Sequence, residues 1–537
     1  MKTPKKDQIA LGLDFGTESV RAMLVDLRGQ QRGSAVANYE HGQITETLPG
    51  SSERLPPHFA LQHPQDWIDS AVLATRVAIE QAGLDNDQII GIGVDFTSCT
   101  MLPTKIDGTP LCLLSEFVAE KYAWPKLWKH HGAESQTEKI NRLARQRNES
   151  WLARYGGIIG LEWFFPKVLE TLEHAPQVYD AADVWLEAGD WLVWKLVGCD
   201  AANLARSTCQ AGYKAMWNRT DGYPSADFFA ALHPKLANVV ADKMPGRMLN
   251  PGQSAGMLSA TMTAQFGLHS PVPVSAATID AHAGVPGAGA ADPGTLVMVM
   301  GTSSCHMLNS TSERLVPGVA GVVAGGILPG FFGYETGQAA VGDAFDWLRN
   351  TVGETNFDRL TQRAAELPPG ADGVVCMDWL NGCRTPLMDG ALRGAFTGLT
   401  LGHGAHHMYR ALMEASAFGV RWIVELLRDN GVPVDRFVAT GGLPHHNPLL
   451  VQIYADVLGE PISIHPSKQG PAVGAAILGV LAAGQAASGF DSTAQAIAAM
   501  AGNQAQQGRV VSPSSDAHNA YDEIYAKYRK LADFLSS

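Results

Sequence analysis

"LGLDFGTESVRAMLVD", residues 11–26, is the stretch from which the rest of the chain is best read. An apolar run closes on Asp14, Gly16-Thr17-Glu18-Ser19 interrupts it, and apolar residues resume at Val20. Two short apolar runs around a Gly/hydroxyl turn predict a β-hairpin. Nearly the same device returns at "VMVMGTSSCHML", residues 297–308. Such a turn can aim several backbone N–H groups at one point, and Thr or Ser hydroxyls add donors, so it can cradle an anion. At Gly16 and Gly301 a Cβ would obstruct an approaching phosphate or strain the turn. A single hairpin of this kind is an ordinary tight turn. Two of them, one opening each half of the chain, point to a shared phosphate-gripping cleft.

The surrounding sequence suits that picture. At 537 residues the chain is too long for one ordinary core. Its 46% hydrophobic and 17% charged residues describe a globular protein. Strand-like runs alternate with helical patterns, which predicts an α/β architecture. Residues 65–83 and 405–431 read as amphipathic helices, and 89–103 as strand, polar turn, strand. Residues 151–217 are Trp-rich and mostly helical, with Lys214 expected on a loop or strand. The Gly/Ala/Pro-rich run 277–296 marks a boundary and hinge region, giving domains 1–290 and 291–537.

Composition removes several function classes. Acidic residues outnumber basic ones 53 to 40 with no basic stripe, so nucleic acid is not an expected partner. The Lys/His cluster at 121–131, "KYAWPKLWKHH", is read as a solvated amphipathic helix. The seven cysteines form no C-x-x-C pair, so neither a disulfide framework nor a zinc site is indicated. We read no signal peptide and no uncharged apolar run of 18 or more residues, hence no membrane span and a cytoplasmic location. No P-loop or G-x-G-x-x-G motif is present. The G-x-S-x-G match at 252–256 follows Asn250-Pro251 rather than a buried strand, so it fails the context of a hydrolase elbow. In "FVATGGLPHHNPLLVQIYADVLGEPI", residues 437–462, a strand runs into Gly441-Gly442, and Asn447-Pro448 begins a helix. Paired glycines there would let an adenine ring lie against the backbone.

Asp14-Phe-Gly-Thr, Gly301-Thr-Ser-Ser and Thr440-Gly-Gly…Asn447 occur in the order expected of the actin and hexokinase superfamily. They resemble its two phosphate loops and its adenosine motif. "GVDFTSCTMLP", "EWFFPKVLETL", "EAGDWLVWKLVG", "GYKAMWN", "IDAHAGVPGAG" and "GYETGQAAVGDAFDW" extend the resemblance over nearly the whole chain, to the ribulokinase branch of the FGGY carbohydrate kinases. Glu170 stands where the common FGGY pattern has Trp, another likeness to that branch. Glu18 departs from the small residue many relatives carry in the first loop.

The resemblance implies two actin-like, ribonuclease H-like domains with a catalytic cleft between them. It implies ATP and Mg2+, and phosphorylation of the 5-hydroxyl of ribulose. Asp280 would be the catalytic base, and Asp14 the Mg2+ residue, acting directly or through water. Gly16, Thr17, Gly301, Thr302, Ser303, Gly441, Gly442 and Asn447 would hold the nucleotide. Ser98, Lys214, Asp280 and Glu335 would hold the sugar. Alternatives are an FGGY kinase for xylulose, ribitol or glycerol, and a non-catalytic ATP-binding switch of the same superfamily. The preferred ribulose epimer and the choice between monomer and homodimer stay open.

Overall fold

The structure is a computed structural model that describes residues 8–83, 86–354, 356–502 and 508–537. Two seven-stranded sheets organise it. In the first, β1 (Ile9–Phe15), β2 (Ser19–Asp26) and β3 (Gln31–Asn38) form an antiparallel meander, and β4 (Ile89–Phe96) lies parallel to β1. The second repeats the plan. Thr295–Met300 pairs antiparallel with Ser304–Ser310, which pairs with Phe332–Gln338, while Arg436–Thr440 lies parallel to Thr295–Met300. The repeated hairpin of the sequence is therefore the opening hairpin of each sheet.

Side chains alternate across each strand. Leu11, Leu13 and Phe15 of β1 enter one core with Ile92, Val94, Phe96 and Trp67. Gly12 and Asp14 lie on the opposite face. Trp67 belongs to the helix Pro64–Ala82, which starts with Pro at its first turn and ends on Gly83 in the left-handed region.

The face carrying Gly12 is covered by the helix Gly470–Ser488, which comes late in the chain yet packs on the first sheet. The approach is so close that a Cβ on Gly93 would lie 1.7 Å from Ala475 O. One on Gly474 would lie 1.8 Å from Ala283 O, in the helix Asp280–Gly287 that crosses it. Only glycine permits this contact. Ala472, Val473 and Ile477 share one core cluster with Val285 and with Val297 and Met307 of the second sheet, so this crossing joins the two lobes. The expectation of no uncharged apolar run of 18 residues fails here. Gly470–Ser488 is long and apolar enough by composition to cross a membrane, but its apolarity serves burial inside the protein.

A mainly helical layer with its own core, including Trp151, Trp163, Phe165 and Phe229, is attached to the first sheet. Two local expectations are corrected in it. Residues 121–131 are no solvated helix: a short 3-10 turn at Lys121–Ala123 is followed by extended chain, and Lys126 and His130 are buried. Lys126 Nζ donates to Thr171 Oγ1 at 2.8 Å, and His130 Nε2 lies 2.9–3.0 Å from the Glu170 carboxylate. Glu170 thus belongs to a buried polar network with His130. Its burial favours the neutral acid, but His130, Lys126 and Lys167 outweigh that and hold its carboxyl low. Lys214 sits on no loop or strand. It is in the last turn of the helix Thr208–Lys214, capped by the Ser207 side chain. The strand after residue 96 also leaves the first sheet: Met101–Thr104 pairs with Val184–Glu187.

Candidate active site

Three carboxylates meet at the carboxyl ends of adjacent strands. The parallel register sets Asp14 opposite Asp95. The short strand Thr278–Ile279 pairs with β4 at Asp95 and Phe96, so Asp280, the next residue, arrives beside them. Among the described residues, neither oxygen of buried Asp95 has a hydrogen-bond partner. Burial pushes the Asp95 carboxyl well up, and Asp14 and Asp280 push it further. Burial also raises Asp14, against the charge of Arg21. Asp280 is pushed up to about 7 by burial first, with Asp14 and Glu335 adding to it. The Ala281 N–H, donating at 2.6 Å, and Lys214 act the other way.

Three crowded carboxylates, whose mutual repulsion Arg21 and Lys214 only partly offset, are the donor set a hard divalent ion requires, so these residues fit Mg2+. Asp95 was not singled out in the sequence, although a signal existed: "GLDF" at 12–15 and "GVDF" at 93–96 share the pattern G-x-D-F. The structure aligns them residue for residue, with Phe15 stacked on Phe96 at 5.1 Å.

Beyond Asp280, Lys214 Nζ donates to both Glu335 oxygens, at 2.8 and 3.0 Å. Lys214 belongs to the first lobe and Glu335 to the strand Phe332–Gln338 of the second, so the pair spans the lobes. Both side chains are buried, unlike a weak surface ion pair. His282 Nε2 lies 3.5 Å from Glu335 Oε2. Burial opposes ionisation of Glu335, yet Lys214, His282 and Arg384 together hold its carboxyl down to about 2. Arg384 escaped the sequence reading because it comes from a loop far along the chain. Its Nη1 contacts Cys305 Sγ at 3.5 Å.

Ser98 lies half-buried in the turn after β4. That turn is held by a Thr97–Thr100 hydroxyl contact of 2.8 Å and by Lys167 Nζ, which donates to Cys99 O at 2.7 Å. Cys99 takes a left-handed φ of 59° there, a strained conformation for a side chain of its kind. Two more buried groups, also missed, carry polar atoms with no partner among the described residues: the Glu187 carboxyl and the Gln210 amide. Gln210 is one helical turn before Lys214, on the same face. Unpaired buried polar atoms of this kind mark places where water or a polyol belongs.

Each hairpin turn is closed by a bond from its glycine N–H, to the carbonyl three residues on in the first and two residues on in the second. Gly16 N–H donates to Ser19 O at 2.9 Å, and Gly301 N–H to Ser303 O at 3.0 Å. Neither glycine has a left-handed φ. A Cβ would lie 3.4 Å from Ser19 O and 3.8 Å from Ser303 O. Turn strain is therefore not the reason for glycine at either position, and room for a ligand remains. Thr17 is held from behind, its Oγ1 accepting from Trp128 Nε1 at 3.1 Å and its carbonyl from Gln62 Nε2 at 2.7 Å. The Glu18 side chain turns outward to Gln43 and leaves the cradle clear. Thr302 O accepts from Val341 and Asp343 N–H, which clips the exposed second turn, with half-buried Ser303, to the helix Gly342–Thr351.

The third motif is partly structural. Gly441 has φ +92°, and a Cβ there would meet Met300 O at 2.5 Å, so it lets this loop touch the second turn. Gly442 faces open space. Asn447 is buried, its Oδ1 accepting from Leu450 N–H at 3.0 Å and its Nδ2 donating to Tyr409 OH at 3.1 Å. Its amide is occupied as a helix cap, so it shapes the loop. Asn447→Ala is expected to lower stability by about 1–2 kcal/mol while changing KM for ATP little. Thermal melts and ATP titration of kcat check both halves.

Residues 9–287 match the FGGY family of carbohydrate kinases, N-terminal domain, and residues 296–483 match its C-terminal domain. The chain is 44% identical to the ribulokinase of Geobacillus thermodenitrificans, over 98% of this chain and 94% of that protein. It is also 44% identical to the ribulokinase of Mycolicibacterium smegmatis, over 100% of this chain and 95% of that protein. Among solved structures, the xylulose kinase from Rhodospirillum rubrum superposes with a TM-score of 0.78 at 24% identity, covering 98% of this chain and 99% of that one.

Proposed function

The chain belongs to the FGGY family of carbohydrate kinases, and from that premise we propose that it moves the γ-phosphoryl group of ATP to the 5-hydroxyl of ribulose, L-ribulose foremost, in the breakdown of arabinose. The products are ribulose 5-phosphate and ADP. The reading is supported above all by the position of Asp280. It follows the strand that pairs at Asp95, and His282, two residues further on, lies 3.5 Å from Glu335, so Asp280 joins a metal-type carboxylate pair to a polyol-type ion pair along the chain.

In this reaction Asp280 accepts the proton of the sugar hydroxyl as that oxygen bonds to the γ-phosphorus and the bond to the ADP oxygen breaks. A carboxyl with its pKa near 7 is poised for that transfer at neutral pH. Asp14 and Asp95 would hold Mg2+, which when bound neutralises charge on the phosphates. The turns at Gly16-Thr17 and Gly301-Thr302-Ser303 grip the phosphates from the two lobes, and the Gly441-Gly442 loop lies where the adenosine would rest. Lys214 donates to sugar hydroxyls, Glu335 accepts from one, and Ser98 flanks them. Closure of the lobes keeps water, a competing acceptor, away from the phosphorus. The reaction is assigned to the cytoplasm, where ATP is available.

The test is coupled ADP release with Mg-ATP across L-ribulose, D-ribulose, D-xylulose, ribitol and glycerol. The ribuloses are expected to give the highest kcat/KM, with glycerol at background. Equal turnover of glycerol and the pentuloses would refute the assignment.

A further inference from the structure

On the chain segments that hold the first phosphate turn, His41, His63 and Asp66 place one ligand atom each within 4.8 Å of one another. His41 follows β3, His63 is the N-cap of the helix Pro64–Ala82, and Asp66 is in that helix's first turn. The bonding of the trio is electron-rich. His63 Nδ1 accepts from Gln65 N–H at 3.3 Å, so that nitrogen carries a lone pair, and Asp66 Oδ1 faces it at 3.7 Å. His41 Nδ1 lies 2.9 Å from the same oxygen. Of the three ligand atoms only His41 Nδ1 carries a proton, donated to Asp66 Oδ1, so loss of that proton leaves three lone pairs close together. The backbone of His41 also donates to Asp66 Oδ2 at 2.9 Å, which fixes the carboxylate. The two imidazoles stack at 4.4 Å, His63 stays partly open to solvent, and His41 more so.

We propose that His41, His63 and Asp66 form a binding site for a divalent transition metal of the Zn2+ class, and that the bound ion acts on the neighbouring phosphate turn. Two imidazole nitrogens and one carboxylate select Zn2+, Co2+ or Ni2+ over Mg2+, which takes oxygen ligands. The ion replaces the His41 proton, and turning one ring about its Cβ–Cγ bond breaks the stack and aims both nitrogens at the metal.

The link to the turn is covalent and short. Three residues next to, or two along from, the histidine ligands hold the Gly16–Glu18 segment. Gln62, beside His63, donates to Thr17 O. Tyr39, two before His41, donates from its OH to Gly16 O at 3.1 Å and from its N–H to Glu18 O at 2.9 Å. Gln43, two after His41, bonds the Glu18 carboxylate. Drawing His41 and His63 together therefore pulls on the turn that would grip ATP.

The experiment uses the full-length protein and a His41→Ala/His63→Ala variant. ZnCl2 is titrated in competition with a chromogenic zinc chelator, and CoCl2 binding is followed by visible absorption. Wild type is expected to take up one more equivalent of Zn2+ than the variant. The matching Co2+ bands would lack the thiolate charge transfer that a cysteine site gives. Equal stoichiometry and affinity in the two proteins would overturn the site. The coupling is read as KM for Mg-ATP, expected to rise by about tenfold or less with Zn2+ in wild type alone. An unchanged KM at full Zn2+ occupancy would overturn the action on the turn. The metal titrations need no sugar, so they stand or fall apart from the choice of ribulose.

Discussion

Replacing Asp280 with asparagine is expected to lower kcat by roughly 10²-fold or more while the protein folds and binds ATP. The amide has the size of the carboxyl and sits at the same helix start, but it cannot take the hydroxyl proton. The pH dependence has a definite sign. With its carboxyl near 7, Asp280 becomes protonated as pH falls through that value, so kcat/KM of the wild type should fall on the acid side. Stability runs the other way. Between the ordinary value of 3.8 and about 7, the folded chain keeps a proton on Asp280 that the unfolded chain has released. That contribution is present at low pH and is lost as pH rises through 7. Asp280→Asn removes it, so the variant should be the more stable at pH 8, with the gap in melting temperature narrowing as pH falls through 5.5 and closing only near 3.8. Asp190 and Asp378 shift upward in both proteins and cancel in the comparison. Near-normal kcat in the variant would remove Asp280 from the role of base.

Local pattern was enough for some of this site and not for the rest. The opening hairpins, the helix Ala405–Asp429 and the Asn447-Pro448 helix start depend on neighbours in sequence, and residue order alone exposes them. The Asp14–Asp95 pair was half visible, because the repeated G-x-D-F is in the sequence while the parallel register that joins the copies is not. Residues 121–131 read as a solvated helix because charge in a local window usually signals solvent. Lys126 and His130 are buried on partners from residues 170–171, and nothing local to 121–131 announces a partner some 40 residues on. The same reasoning accounts for Gly470–Ser488. An uncharged helix of small residues looks alike whether lipid or backbone surrounds it, and only the close approach of Gly93 and Gly474 to neighbouring carbonyls shows which. Arg384, Glu187 and Gln210 are significant through what surrounds them in space, which no window of sequence contains.

The Lys214–Glu335 pair carries the other large effect, because it can be broken or removed and the two outcomes differ. In Lys214→Met the buried Glu335 carboxylate loses the partner that donates to both its oxygens. His282 Nε2 lies 3.5 Å from one of those oxygens and burial disfavours its charge, so the imidazole does not replace an ammonium that donates to both. The expected cost is about 3–5 kcal/mol of stability, the range for stranding one member of a buried ion pair. Lys214→Met/Glu335→Gln removes both charges, and most of that loss should return, since a neutral pair of similar volume leaves no stranded ion. Catalysis should not return. If the two groups bind the ketose, the double variant keeps kcat/KM for ribulose down by roughly 10²-fold or more, with KM for ATP nearly unchanged. A double variant that regained activity along with its melting temperature would make the pair a clasp between the lobes and nothing more. Stability and specificity separate in this cycle because the ion pair is satisfied by itself, whereas under the proposed function the sugar hydroxyls need both of its charges.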